Sequence, residues 1–222
     1  MKTPDYHQHE EFQNRLAKLT ELREIGIDPY PAKFTPKHTA SELTETYKDK
    51  EIGGSDAAEQ GVTEETTLAG RIVLFRSMGK NAFVHIQDAT GRMQLMLNRD
   101  HTEVSGFTRT AELPPLKFIE KKIDLGDIVG VTGHIFRTHK GELTLYVKQL
   151  TVLCKSLLPL PDKHSGLVDK EARYRKRWLD LITSQEVADT FRLRSKIIRL
   201  VRDYFEQGQF IEVETPILQS IY

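Results

Sequence analysis

The stretch from Leu68 to Leu97, LAGRIVLFRSMGKNAFVHIQDATGRMQLML, restricts the fold more than any other part of the chain. Its residues alternate with the period of two that sends successive side chains to opposite faces of a strand. Gly79 and the run Ala89-Thr90-Gly91 interrupt the alternation, so the stretch predicts three β-strands joined by two tight turns. Gly79 and Gly91 stand at the reversals, where a residue without Cβ takes positive φ at no steric cost. A further strand pair is expected in DIVGVTGHIFRTHKGELTLYVKQLTVL, its halves meeting at Lys140-Gly141, a hairpin turn of the glycine-bearing kind. Between the two sets lies PPLKFIEKK, Pro114 to Lys122, which predicts a short helix.

Five strands with a helical insert between the third and fourth is the layout of an OB-fold, a small Greek-key barrel, expected here over residues 67–154. The fold class is therefore mainly β with flanking helices. One face of such a barrel holds single-stranded nucleic acid by stacking bases on aromatic rings in a positively charged groove. Phe83, Arg76, Lys80, Gln94 and Glu142 are the side chains expected there. Alternation puts Phe83, His85 and Gln87 on one face of their strand and Val84 and Ile86 on the other. A face bearing His and Gln makes a poor core, which favours an outward Phe83. Gln94, between Met93 and Leu95, points away from both, and its amide can donate and accept. The plainer alternatives stay open on spacing alone: a core ring for Phe83, a solvent-facing amide for Gln94, and ordinary surface charges for Arg76 and Glu142.

Bulk charge does not mark a nucleic-acid binder, because the formal net charge of the 222 residues is zero. Its distribution says more. Residues 1–66 carry 8 Lys+Arg against 14 Asp+Glu, residues 67–154 carry 12 against 8, and residues 155–222 carry 12 against 10. The barrel segment is the most basic part, as a module that contacts phosphate should be, although an ordinary solvated surface gives the same balance. The single cysteine, Cys154, excludes an intrachain disulfide; it ends the strand LTVLC and reads as a small apolar residue rather than a reactive thiol. No metal-ligand spacing, signal peptide or transmembrane run is present, and the reducing cytoplasm is the expected compartment.

The flanks read differently. In EEFQNRLAKLTELREIG, Phe12, Leu16, Leu19, Leu22 and Ile25 form one apolar stripe of a helix that Gly26 ends. The prolines of IDPYPAKFTP forbid its continuation, so an extended strap along another surface is expected. Ser41–Tyr47 predicts a short helix capped by Ser41. Residues 49–66 are acidic and glycine-containing, which predicts a surface loop. After the barrel, residues 155–170 read as a linker. EARYRKRWLDLITS predicts one helix with Tyr174, Trp178, Leu181 and Ile182 on a shared face. The basic cluster Arg173–Arg177 suits nucleic-acid phosphate, a solvated helix face or an intersubunit ion-pair set. VADTFRLRSKIIRLVRDYFEQGQ is the strongest helical pattern, and FIEVETPIL predicts a short strand that Pro216 interrupts.

LVDKEARYRKRWLDL, the long helix and FIEVETPIL together resemble the entry to the catalytic domain of class II aminoacyl-tRNA synthetases, whose first signature motif is a long helix plus a strand ending in proline. An N-terminal OB-fold points within that class to the subgroup charging aspartate, asparagine or lysine. FRSMGKNAFVHIQDATGRMQ, DLGDIVGVTG, THKGELTL, LPLPDKHSGLVDKEARYRKRWLDL and KLTELREIGIDPYPAKF are most similar to lysyl-tRNA synthetases. The similarity lapses at about 49–66 and 100–112, and Leu158 and Trp178 stand where the family often has arginine and tyrosine. The resemblance implies activation of lysine with ATP and Mg²⁺, transfer to the cognate tRNA, and a barrel that reads the anticodon. It implies that Phe83 stacks on the central uridine and that Arg76, Gln94 and Glu142 contact the anticodon bases. Residues 171–222 would begin the catalytic domain, with residues 187–216, including Phe210, Glu212 and Pro216, forming a two-fold homodimer interface. The second and third signature motifs, which carry the ATP-clamping arginines and Mg²⁺ carboxylates, would follow residue 222. The 222 residues are thus expected to hold no catalytic or metal site and to be inactive alone. A free-standing OB-fold binder of single strands, or a synthetase of the aspartyl or asparaginyl type, remains the alternative.

Overall fold

A computed structural model describes residues 5–110, 112–161 and 167–216, which divide into two units, residues 1–159 and residues 160–222. In the first unit the alternating stretch forms β1 (Glu65–Met78), β2 (Asn81–Gln87) and β3 (Arg92–Asn98). A two-residue β4 (Glu103–Val104) precedes the expected helical insert, α4 (Pro115–Lys122), where Pro115 occupies the first helical turn at no hydrogen-bond loss. Long strands β5 (Ile128–Arg137) and β6 (Leu143–Cys154) complete the barrel.

The sheet order is β3-β2-β1-β5-β6-β4, and parallel pairing of β3 with β6 closes the five long strands on themselves. Closure leaves one alternate set of residues inside. Leu68, Ile72, Val84, Ile86, Leu95, Val131, Leu145 and Val147 are each 1% exposed or less. Full burial of such a side chain contributes roughly 1.5–3 kcal/mol. Helix α4 seals one end through Leu116, Phe118 and Ile119, with the Phe118 ring stacked 4.2 Å from Phe107.

The turns depart from expectation at one point. Gly79 has φ +69° and Gly141 φ +81°, but Gly91 is not left-handed. The β2–β3 reversal is held instead by Asp88, whose Oδ1 accepts from the backbone of Thr90 and Gly91 and from the Thr90 hydroxyl. Burial would raise the Asp88 carboxyl, but these hydrogen bonds and one from Ala40 outweigh it and hold the group below the usual carboxylate range.

Helix α1 (Glu10–Glu24) buries Phe12, Leu19 and Leu22; Ile25 is exposed, and Ile27, beyond the left-handed Gly26, is the residue that turns inward. Arg15 is also buried, its guanidinium donating to Glu11 and to the backbone carbonyls of Leu125 and Ser156. The strap follows: Phe34 lies against Gly130, and the backbone N–H groups of Lys37 and His38 donate to Thr67 O. Helix α2 (Ala40–Thr46) begins two residues earlier than expected from its cap. Thr39, not Ser41, caps it, because Thr39 and Glu42 satisfy each other's backbone N–H groups in a capping box. Residues 49–66 are not wholly a loop. Ser55–Glu59 forms helix α3, and β1 already starts at Glu65.

In the second unit the expected single helix is two, α5 (Lys170–Arg175) and α6 (Arg177–Thr183), separated at Lys176 with φ −116° and ψ 51°. The break lets Arg173 and Arg177 converge on the buried Asp180, an ion-paired arrangement for two members of the basic cluster. Tyr174 and Trp178 are exposed rather than packed. Helix α7 (Gln185–Gln207) is capped by the Ser184 hydroxyl and ends at Gly208, after which Gln209 takes the left-handed φ of 64°. Residues 210–216 form no strand. An isolated segment has no ladder to satisfy its backbone, and none of the described strands pairs with it. The remainder of FIEVETPIL, from Ile217, and the linker stretch 162–166 lie outside the described residues.

Candidate nucleic-acid interface

Sheet register places four of the five expected side chains on or beside one outer face. Arg76 pairs with Phe83, Phe83 with Met96, and Met96 with Tyr146, giving a row across β1, β2, β3 and β6. The adjacent row is Leu74, His85, Gln94 and Thr144. Outward from the Phe83 row stand Asn81 and Asn98, joined by an amide–amide hydrogen bond of 2.8 Å. Beyond His85 stand Gln87 and Arg92, also bonded to each other. The face thus presents one half-buried phenyl ring bordered by amides, an imidazole and an exposed arginine.

A β-bulge between Ile72 and Leu74 makes this possible. It reverses the facing of β1 beyond that point, so that Arg76 aligns with the outward Phe83 while Ile72 faces the core. Glu142 arrives from the β5–β6 hairpin and lies 3.2 Å from His85 Nε2. Its backbone is fixed by Thr138, through Thr138 N to Glu142 O at 3.0 Å and Glu142 N to the Thr138 hydroxyl at 3.1 Å. Arg137 anchors the same hairpin by donating to the carbonyls of Gly141, Tyr47 and Lys48.

Gln94 shares the face of Phe83 but is buried rather than solvent-facing, because its Oε1 accepts a 3.0 Å hydrogen bond from the Thr144 hydroxyl of the parallel neighbour β6. Lys80 sits in the β2 turn rather than on the face. Its carbonyl accepts from Arg99 N, which places it at the end of the sheet, beyond the Asn81–Asn98 pair.

Helix α3 forms a wall at the β6 side. Ala58 packs with Met96, Phe136 and Tyr146 in a second small cluster, against which Phe83 rests. The Tyr146 hydroxyl lies 2.8 Å from His101 Nδ1 and 3.4 Å from Glu59 Oε2. Burial and the Glu59 carboxylate push the Tyr146 phenol far above its ordinary range, so it remains neutral. Met96, Thr144, Tyr146 and the α3 wall were not singled out from sequence. The alternation of β3 and β6 would have given the first three; the wall depends on packing that the sequence of 49–66 does not announce.

In the second unit, Phe210 packs edge-on against Phe205 at 5.5 Å and Glu212 accepts from Arg202 at 3.0 Å, while Pro216 is exposed. Phe205, Phe210, Arg202 and Glu212, but not Pro216, line a groove of about 700 Å³ with Val201 and Ile211. Cys154 is half-buried, and burial pushes its thiol up, which disfavours the reactive thiolate. Among the described residues no three His, Cys, Asp or Glu side chains converge to hold a metal ion, and no helix is long and apolar enough to cross a membrane.

The family model for OB-fold nucleic acid binding domains matches residues 66–153, and that for class II tRNA synthetases (D, K and N) matches residues 169–222. The lysine–tRNA ligase of Chlamydia pneumoniae is 54% identical over 218 residues, 98% of this chain and 41% of the relative. That of Chlamydia felis is 52% identical over 218 residues, again 98% and 41%. That of Carboxydothermus hydrogenoformans is 42% identical over 207 residues, 93% of this chain and 38% of the relative. The chain therefore spans about two fifths of the length of these relatives.

Proposed function

The chain belongs with the lysine–tRNA ligases, and on that premise we propose that its barrel binds the anticodon of lysine tRNA for an enzyme that joins lysine to that tRNA with ATP. The observation that carries this reading is the Arg76–Phe83–Met96 row beside His85, Gln94 and Glu142. An unpaired base offers a π face and a Watson–Crick edge, and a ring flanked by donors and acceptors can engage both. Phe83 supplies the stacking surface. The Gln94 amide, whose oxygen is held by Thr144, has its N–H groups to offer a base carbonyl, and the Glu142 carboxylate accepts from a base N–H. Titrating anticodon stem-loops bearing UUU, GUC and GUU tests this: UUU should bind most tightly, and equal binding of all three would overturn the assignment to lysine.

The second unit is proposed to pair two copies of the chain through α7 and residues 208–216. Its support is the row of large apolar side chains left in solvent, with Ile197 and Val201 each 51% exposed and Ile211 86% exposed. Among the described residues no group of His, Cys, Asp and Glu side chains is arranged to hold Mg²⁺. The 222 residues are proposed to supply recognition and pairing, at work in the cytoplasm, and no adenylate chemistry. ATP–pyrophosphate exchange with lysine should stay at background for this chain.

A further inference from the structure

The end of the sheet next to the proposed base-reading face carries a cationic cluster that the anticodon reading does not use. Asn98 accepts from Asp100 N at 2.8 Å and His101 N at 3.2 Å, so the same amide that pairs with Asn81 on the reading face also folds the turn after β3. That turn presents Asp100. Arg99 donates to it through Nε at 3.2 Å, and Arg109 donates to its backbone carbonyl at 2.8 Å and its carboxylate at 3.4 Å. Lys80 joins from the β2 turn through the Arg99 N–H bond to its carbonyl. The hydrogen bond from Arg99, then the nearby charges of Arg99, Lys80 and Arg109, hold the Asp100 carboxyl below its usual range.

Arg99 and Arg109 thus pair with one carboxylate, and the charge of Lys80 reaches it from the neighbouring turn, so cations outnumber the carboxylate here. Arg99 and Arg109 remain about half exposed, at 44% and 52%. They line a cleft of about 510 Å³ with Thr110 and Pro114. A guanidinium has five N–H donors in a planar fork that matches phosphate oxygens, and the pairing with Asp100 engages only some of them. Asp100 and Arg109 fall in the 100–112 stretch, where the sequence departs from the family pattern.

We infer that Arg99, Arg109 and Lys80 form a backbone-phosphate site that grips the RNA strand as it leaves Phe83. This rests on the anticodon reading above and adds to it a sequence-independent grip on phosphate. The alternative role is a surface ion-pair set, with little effect on stability and none on RNA.

The test is the salt dependence of stem-loop binding by the full 222-residue chain, from about 50 to about 200 mM NaCl. Removing one cation that neutralises a phosphate should reduce the magnitude of the log K against log salt slope by roughly 0.7. R99Q/R109Q should therefore lower the slope by about 0.7–1.4, weaken UUU, GUC and GUU stem-loops by the same factor, and leave the UUU preference intact. Asp100→Asn should act in the opposite sense, steepening the slope and tightening all three. Arg109→Lys keeps the charge and should keep most of the slope. Lys80→Gln, in an exposed turn, gives a second reading should the double variant fold poorly. Wild-type binding with an unchanged slope in Lys80→Gln and R99Q/R109Q would overturn the site. So would competition by inorganic phosphate at constant ionic strength that the double variant abolishes without altering RNA binding, the mark of a free-anion site. Failure of the wild-type chain to bind any stem-loop would instead remove the anticodon reading itself.

Discussion

His85 Nε2 lies 3.2 Å from Glu142 Oε1, bridging strand β2 to the β5–β6 hairpin across the face that carries Phe83. With that nitrogen turned to the carboxylate, the other, Nδ1, is buried without a hydrogen-bond partner among the described residues. An unsatisfied buried polar atom is retained against a penalty of about 1–3 kcal/mol, which is understandable where the imidazole serves to aim Glu142. His85→Ala should leave stacking on Phe83 in place but free the Glu142 carboxylate to move. The expected result is a loss of roughly 0.5–1.5 kcal/mol of UUU preference over GUC and GUU, with smaller effects on the weaker stem-loops. Fluorescence titration of the three stem-loops reads it; an unchanged preference would show that Glu142 is aimed without His85.

Phe83→Ala removes the one aromatic ring of the Arg76–Phe83–Met96–Tyr146 row that is not fully buried. The cognate stem-loop should weaken by about 1–3 kcal/mol, the value of one stacked base. Because Phe83 is half-buried against the small Ala58–Met96–Phe136–Tyr146 cluster, part of any loss is packing. Phe83→Leu separates the two: it fills most of the volume but offers no π face, so it should recover stability and not affinity. Full affinity in Phe83→Leu would reassign the ring to the cluster.

Lys155 is 2% exposed and holds two carboxylates, Asp127 at 2.7 Å and Asp124. Asp127 also accepts from Ser156 N at 2.8 Å, and Asp124 from Lys18 at 2.6 Å, so the end of β6, the α4–β5 turn and α1 meet at one ion-pair network. Lys155→Met would strand Asp127, whose side chain is fully buried, and should destabilise the first unit by about 3–5 kcal/mol in urea denaturation. The network also sets an acid limb. Burial alone would raise the Asp124 carboxyl, but hydrogen bonds from Lys155 and Lys18 dominate and lower it. A depressed folded-state value means stability is present above the unfolded carboxyl value of about 3.9 and is lost as pH falls below it through the folded value. Asp124→Asn should flatten that limb.

The barrel was legible because closure leaves only one place for every second residue, and Val84, Ile86, Leu95 and Leu97 state that choice in the sequence. The neighbours of Phe83 were legible for the same reason: Gln94 and His85 fall on its face by alternation alone. What alternation cannot express is a contact between strands or from outside the sheet. Gln94 looked solvent-facing because Thr144, 50 residues on, is its partner only once β3 lies parallel to β6. Helix α3 was hidden because its cover rests on Ala58, a small residue whose value comes from fitting over Tyr146 and Phe136. In the second unit, FIEVETPIL has the composition of a strand, but a strand is a property of two segments, and its described part has none to pair with.

Gly133 ties the fold to the site. A Cβ there would overlap the carbonyl oxygen of Tyr146, at the register shift between Thr132 and Gly133. The obstacle is backbone, so Gly133→Ala must push β5 off β6 at the residue that ends the Phe83 row. Beyond destabilisation of about 1–3 kcal/mol, it should weaken stem-loop binding although the glycine itself lies off the face. Gly130→Ala is the contrast: the atoms nearest its Cβ would be those of the Phe34 ring of the strap, a side chain rather than backbone, and it should lower stability with less effect on RNA. Equal losses of affinity in the two variants would mean that general softening, not displacement of Tyr146, was responsible.

The apolar stripe of α7 gives the last prediction. Ile197, Val201 and Phe205 recur at four-residue spacing on one side of the helix and are each about half exposed, at 51%, 51% and 49%. A contiguous surface of this kind in water is an association site or an aggregation hazard, and a closed two-fold pair would bury the same stripe on both copies. The 222-residue chain should therefore sediment as a concentration-dependent dimer. Ile197→Asp with Val201→Asp places two charges in the centre of the stripe and should shift it to monomer, without altering stem-loop affinity per chain, because the reading face belongs to the other unit. A version ending at Ser156 lacks the helix and should be monomeric. A dimer that survives both the paired substitutions and the truncation would move the interface to the barrel unit.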